Sequence, residues 1–207
     1  MILTKRVLIL VSLLLCVDLL KAQELRLSVG ANVSRFSKTT PGFSTKVGGS
    51  YFGGIELQLR DKKKFYIQPG LQYISTNTTL SHPLFSDAKS NLLVSGIKVP
   101  IMVGKKFILD PSTNLRVFMG PSFMAILKVN HKNMTDTSFT FTDKNYHDIE
   151  WAWHIGTGLD VGRYFIDVGF QKGLTYVFTG GPESKSNNIY LAIGIRNFKR
   201  KKVKEVQ

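Results

Sequence analysis

Over Leu25–Ser34 the odd positions Leu25, Leu27, Val29, Ala31 and Val33 are apolar, and the even ones are Arg26, Ser28, Gly30, Asn32 and Ser34. Side chains alternate faces along an extended chain, so a strand made from this segment has one greasy face and one wet face. The period of two recurs down the chain, and no segment after the N-terminal one sustains a helical period. It predicts strands over about 25–36, 50–60, 65–76, 92–104, 114–128, 151–162, 164–177 and 188–198. Bacterial single-chain barrels that cross the outer membrane have an even number of strands, and this count is even.

The links between these strands alternate in length. Ser37–Gly49, Asn77–Asn91, Val129–Glu150 and Phe178–Asn187 are long, whereas Asp61–Lys64 and Gly162-Arg163 are short. Lys105–Thr113 is the weak member of the short set, hardly shorter than the seventh link. Outer-membrane barrels have short periplasmic turns and longer extracellular loops, so a periplasmic N-terminus puts every long link outside the cell.

Which face looks inward decides where such a protein works. A water-soluble ligand-binding barrel keeps its apolar phase inside, whereas a membrane barrel turns it to lipid. The polar phase here holds Arg26, Lys98, Arg116 and Arg196 with Glu56, Asp160 and Asp167, and the opposite phase is aliphatic and aromatic. The expectation is an all-β, eight-stranded antiparallel transmembrane barrel with those seven residues as an interior charge network. Eight strands leave room only for side chains, and a lone buried charge costs several kcal/mol, so the charges should pair into a plug. Aromatics support the same orientation, because Tyr and Trp favour membrane interfaces. Tyr51, Trp151 and Trp153 fall at the expected outer rim, and Phe65, Phe107, Tyr164 and Phe198 at the inner one. Lys172 breaks the lipid-facing phase of its strand; either Gly173 forms a bulge that resets the register, or the sheet has already left the bilayer there.

Composition narrows the setting. Met1–Ala22 reads as a secretory signal peptide: Lys5 and Arg6, the apolar run Val7–Leu15, then Leu20-Lys21-Ala22, with cleavage expected near Ala22–Gln23. The run is too short for a spanning helix, and Asp18 interrupts it. The expected organisation is therefore 1–22 signal peptide, 23–198 barrel and 199–207 basic periplasmic tail. Cys16 would leave with the signal, removing disulfide and thiolate chemistry. Loss of Lys5, Arg6, Lys21 and Asp18 takes the net charge from +14 to +12. Much of that excess sits in Lys62-Lys63-Lys64 and in Lys199–Lys204, so it points to anionic lipid or envelope polymers, and no nucleic acid partner is expected.

No motif carries enzymatic chemistry. His82, His131, His147 and His154 have no metal-ligand spacing, so neither metal nor cofactor is expected. His154, Asp160 and Asp167 suggest an acid–base group, but an interior hydrogen-bond network accounts for them without substrate access. Gly156, Gly158 and Gly162 have neither the spacing nor the following helix of a dinucleotide loop. The two matches to the glycosylation sequon, Asn77-Thr78-Thr79 and Asn133-Met134-Thr135, are taken as chance. Recognition is better placed in loops on a rigid scaffold. The longest, Val129–Glu150, sets Phe139, Phe141 and Tyr146 among His131, Asp136, Asp143 and Asp148.

Several segments resemble the eight-stranded outer-membrane barrels of the Bacteroidetes often labelled PorT-like. They are Gly96-Ile97-Lys98-Val99-Pro100-Ile101-Met102-Val103-Gly104, Val117-Phe118-Met119-Gly120-Pro121-Ser122, His154-Ile155-Gly156-Thr157-Gly158-Leu159 and Tyr190-Leu191-Ala192-Ile193-Gly194-Ile195-Arg196. The resemblance implies a non-enzymatic integral outer-membrane protein, in some relatives an accessory of type IX secretion, with secretion-apparatus proteins as partners. The alternative is a surface-recognition or envelope-integrity protein with an extracellular ligand. Membrane lipid is the expected surrounding, and a closed barrel needs no second chain to complete its hydrogen bonds. The chain departs from the family where nine residues follow Phe198, since such barrels tend to stop at an aromatic.

Overall fold

The computed structural model describes residues 23–36, 44–45, 48–60, 64–81, 89–133, 149–176 and 185–197. They form nine strands: β1 (Gln23–Phe36), β2 (Ser44–Thr45), β3 (Gly48–Arg60), β4 (Phe65–Ser81), β5 (Lys89–Ile108), β6 (Thr113–Asn133), β7 (Ile149–Val161), β8 (Tyr164–Gly173) and β9 (Ser186–Arg196). The two-residue β2 adds only to the far end of β4. The other eight pair antiparallel with their sequence neighbours, and β9 closes on β1. No edge remains in the closed part, so the backbone satisfies its own hydrogen bonds without water.

One row of partners runs Val33, Ile189, Phe170, Ile155, Met119, Val103, Ile67, Leu59, Gln23 and so returns to β1 ten residues lower (33 against 23). That stagger forces the strands to tilt steeply about the barrel axis. Pro100 has no N–H to give, and the β4–β5 pairing lapses between Pro69↔Ile101 and Gln72↔Lys98 and then resumes in the same register.

The outward side chains are apolar and open, the inward ones polar and closed. Val29 is 60% exposed and Ile193 55%, whereas Arg26, Arg116 and Asp160 are at 0%. This inverts a water-soluble protein and is what a hydrocarbon surrounding dictates. Apolar groups enter the interior as two small clusters, Phe52 with Ile74 and Ala192, and Tyr66 with Met102 and Phe118, and singly as Phe165 and Ala152.

The structure differs from the sequence-based expectation in three respects. First, β5 continues to Ile108, so its turn is only Leu109–Ser112 and the alternation of short and long links becomes sharper. Asp110 holds this turn: its Oδ1 accepts from Ser112 N–H, Ser112 Oγ and Thr113 N–H, each at 2.9 Å. Second, β4, β5 and β6 run well past the expected ends, while β8 stops at Gly173. Third, Gly173 makes no bulge. The β7–β8 and β8–β9 registers run through Lys172 unbroken, and the irregularity lies instead between Ser95 and Gly96. At the β7–β8 turn Gly162 takes φ 56°, the left-handed conformation that glycine adopts without steric cost.

Candidate functional site: the barrel interior and its rims

The periplasmic half of the interior is an ion-pair network centred on Asp160. Its Oδ1 accepts from Arg116 Nε at 2.8 Å and from Arg26 at 3.2 Å, and its Oδ2 lies 3.2 Å from Arg196 and 3.7 Å from Lys106. Glu24 bridges the same cations, at 3.2 Å from Arg26 and Arg196 and 3.3 Å from Lys106. The Arg26 guanidinium also lies 3.7 Å above the Phe165 ring. These groups come from β1, β5, β6, β7 and β9, so only the closed barrel brings them together.

Arg116 reaches Asp167 across Gly158, which pairs with both in one row of β6, β7 and β8. A Cβ at Gly158 would stand 2.0 Å from the Asp167 carboxylate and 2.7 Å from the Arg116 guanidinium. The glycine is therefore the space in which the ion pair forms.

Above this layer Glu56 is held by amides and a hydroxyl. Its Oε1 accepts from Gln72 at 2.9 Å and from Ser28 at 3.4 Å, and its Oε2 accepts from Gln68. Lys98 donates to Gln171 Oε1 at 3.1 Å, and Ser122 Oγ shares a 2.7 Å hydrogen bond with His154 Nε2. A cavity of about 40 Å³ lies among Glu56, Gln72, Lys98, Met102, His154 and Tyr190. That is room for a few waters and for no larger solute.

The seven charges expected inside thus all lie inside, each at most 7% exposed. The structure adds Glu24, Lys106 and Glu150, which makes five cations and five carboxylates among the described buried residues. All three share the inward phase of their strands; they were missed because the expected strand limits stop one or two residues short of them. His154, Asp160 and Asp167 do not form one acid–base group. His154 is bonded to Ser122, while Asp160 is enclosed by arginines and Lys106. No cluster of metal-ligating side chains occurs among the described residues.

At the rims, Tyr51, Trp151, Trp153 and Tyr164 are all exposed on the outer face. Trp151 packs edge-on against Phe123, with ring centres 4.3 Å apart. Lys105 sits at the periplasmic rim with its ammonium 5.4 Å from the rings of both Phe65 and Phe107. Phe139, Phe141, Tyr146, the segment 1–22 and the tail 199–207 lie outside the described residues.

A closed barrel with paired charge inside and open aliphatic side chains outside is an integral β-barrel membrane protein. The chain belongs to the outer membrane protein beta-barrel domain family, whose model matches residues 21–179. Its place is the outer membrane. Among solved structures, the outer membrane protein OprG from Pseudomonas aeruginosa is similar over 86% of this chain and 97% of its own, at 7% identity and a TM-score of 0.51. The attachment invasion locus protein Ail of Yersinia pestis covers 84% of this chain and 99% of its own, at 9% identity and TM-score 0.46. The outer membrane enzyme PagL covers 81% and 98%, at 14% identity and TM-score 0.45. At such identities the likeness to OprG speaks for the fold alone. No curated protein matches the sequence.

Proposed function

We propose that this is a non-enzymatic, non-conducting outer-membrane barrel that acts at the cell surface through the sheet its longest strands carry above the bilayer. The supporting observation is strand length. β4, β5 and β6 have 17, 20 and 21 residues, where β8 has 10 and about 9–11 suffice to cross a bilayer. Their backbone pairing continues to Ser81↔Lys89 and Ser90↔Asn133, a platform of one sheet on the side of the long links. The interior offers no competing role, because charge and aromatic layers fill it. Shortening Val129–Glu150 to a tight turn should abolish binding to an extracellular ligand, or envelope resistance, while the barrel still folds. Unchanged binding and resistance would refute the reading.

The resemblance to PorT-like barrels supports a second reading, an accessory role in type IX secretion. The segments that carry it, Gly96–Gly104 and Val117–Ser122, lie side by side on β5 and β6, with Val103 opposite Met119 and Pro100 opposite Ser122. A clean deletion separates the two readings. Cargo stranded in the periplasm supports secretion, and normal export with lost surface binding supports recognition.

A further inference from the structure

Every carboxylate of the described strands points inward: Glu24, Glu56, Glu150, Asp160 and Asp167 are all buried. The lipid-facing surface between the aromatic rims therefore has no anion of its own. Among the side chains described, cations enter it near its borders: Lys105 on the periplasmic side, and Lys128, opposite Ser95, and Lys172 on the other. Lys105 is accounted for by the rings of Phe65 and Phe107. Lys172 is not. It is exposed, lies beside Trp153 on β7 and Asn187 on β9, and has no ion pair, hydrogen bond or ring contact among the described residues.

Its height says what meets it. Lys172 is eight residues along β8 from Tyr164, which flanks the periplasmic turn. At roughly 3.3 Å per residue and a tilt of about 40°, that is about 20 Å of height. The apolar band of such barrels is about 25 Å tall, so the Lys172 backbone stands about 5 Å below its upper edge, and the long side chain snorkels to the headgroups of the outer leaflet. Its neighbours there are exposed indoles: Trp153 beside it and Trp151 one step above, with the Lys185 ammonium 5.0 Å from the Tyr176 ring on the same border.

We propose that this rim is a binding surface for a phosphorylated glycolipid of the outer leaflet. Lys172 takes the phosphate, and the faces of Trp151 and Trp153 take the sugar. With no counter-ion among the described residues, Lys172 is matched by an anion from the membrane. Indoles beside it offer the apolar faces on which a sugar ring packs. This surface is independent of the platform on β4–β6 and of any secretion role.

The two tryptophans are the only ones in the chain, so intrinsic fluorescence reports on this rim and nowhere else. The full-length protein in detergent is titrated with diphosphoryl lipid A, and with the same lipid after enzymatic dephosphorylation. The expected result is a saturable change in tryptophan emission with the phosphorylated lipid that weakens in high salt. Lys172→Gln should weaken binding roughly fivefold, the factor that corresponds to about 1 kcal/mol per basic residue near a charged membrane surface. Lys105→Gln, at the opposite rim, should leave it unchanged. Equal binding of the dephosphorylated lipid, equal loss in both lysine variants, or no emission change with the phosphorylated lipid would each overturn the proposal. Both lysines are exposed, so neither variant should fail to fold.

Discussion

At the scale of single residues, the interior is decided by a few groups that have no substitute. Asp160 faces four cations, and removing its charge takes from Arg26, Arg116, Arg196 and Lys106 the one carboxylate they share, with Glu24 and Asp167 still beside them. Breaking a buried pair by taking away one partner costs about 3–5 kcal/mol, so Asp160→Asn should lower stability by that order in denaturant titrations of the detergent-solubilised barrel. Gly158→Ala puts a methyl group where the Arg116–Asp167 pair meets and should cost about 1–3 kcal/mol in the same assay. In the periplasmic turn the Asp110 carboxyl is held below its ordinary value near 3.8, first by the Ser112 backbone N–H and then by the Thr113 and Ser112 side chains. A depressed folded-state value means that its contribution to the hairpin is complete above the ordinary value and fades as pH falls through the lowered one. A carbon-detected titration of Asp110 should show that lowered midpoint, and Asp110→Asn should remove the pH dependence of the turn.

At the scale of strands, period-two patterning gives each element its orientation, and the surrounding medium gives the pattern its energy. An outward charge at mid-height meets hydrocarbon, while one at the rim meets headgroups. Val168 lies midway along the lipid face of β8, and Lys172 lies at its end. Val168→Lys should therefore cost about 2–4 kcal/mol in folding into lipid bilayers, whereas Lys172→Val should change it by no more than about 1 kcal/mol. Equal costs at the two positions would mean that the apolar band does not end where the aromatic rim places it.

At the scale of the whole molecule, a layered interior is what a non-conducting barrel requires. The network around Asp160, the aromatic layer of Phe52, Tyr66, Phe118 and Tyr190, and the polar groups around Lys98 leave a cavity of only about 40 Å³. Planar-bilayer recordings of the purified protein should show no conductance steps. Clear steps that vanish or change in Arg116→Ala would instead make the interior a channel lined by that residue.

Strand number, orientation and the sign of each face were readable from the chain, because alternation is local: Leu25–Ser34 or Tyr164–Gln171 shows its two faces without reference to any partner. Individual inward charges such as Arg26 and Asp167 were readable for the same reason. Glu24, Lys106 and Glu150 were not, because a strand ends where its neighbour stops pairing, and a single segment carries no record of that. The same limit hid the length of β4, β5 and β6 and invited a bulge at Gly173 that the ladder does not contain. Which charges meet depends on the ten-residue stagger of the closed sheet. It brings Glu24, Lys106, Arg116, Asp160 and Arg196 together from five different strands. Hydrophobic alternation is thus written residue by residue, whereas pairing across the barrel exists only once closure sets the register.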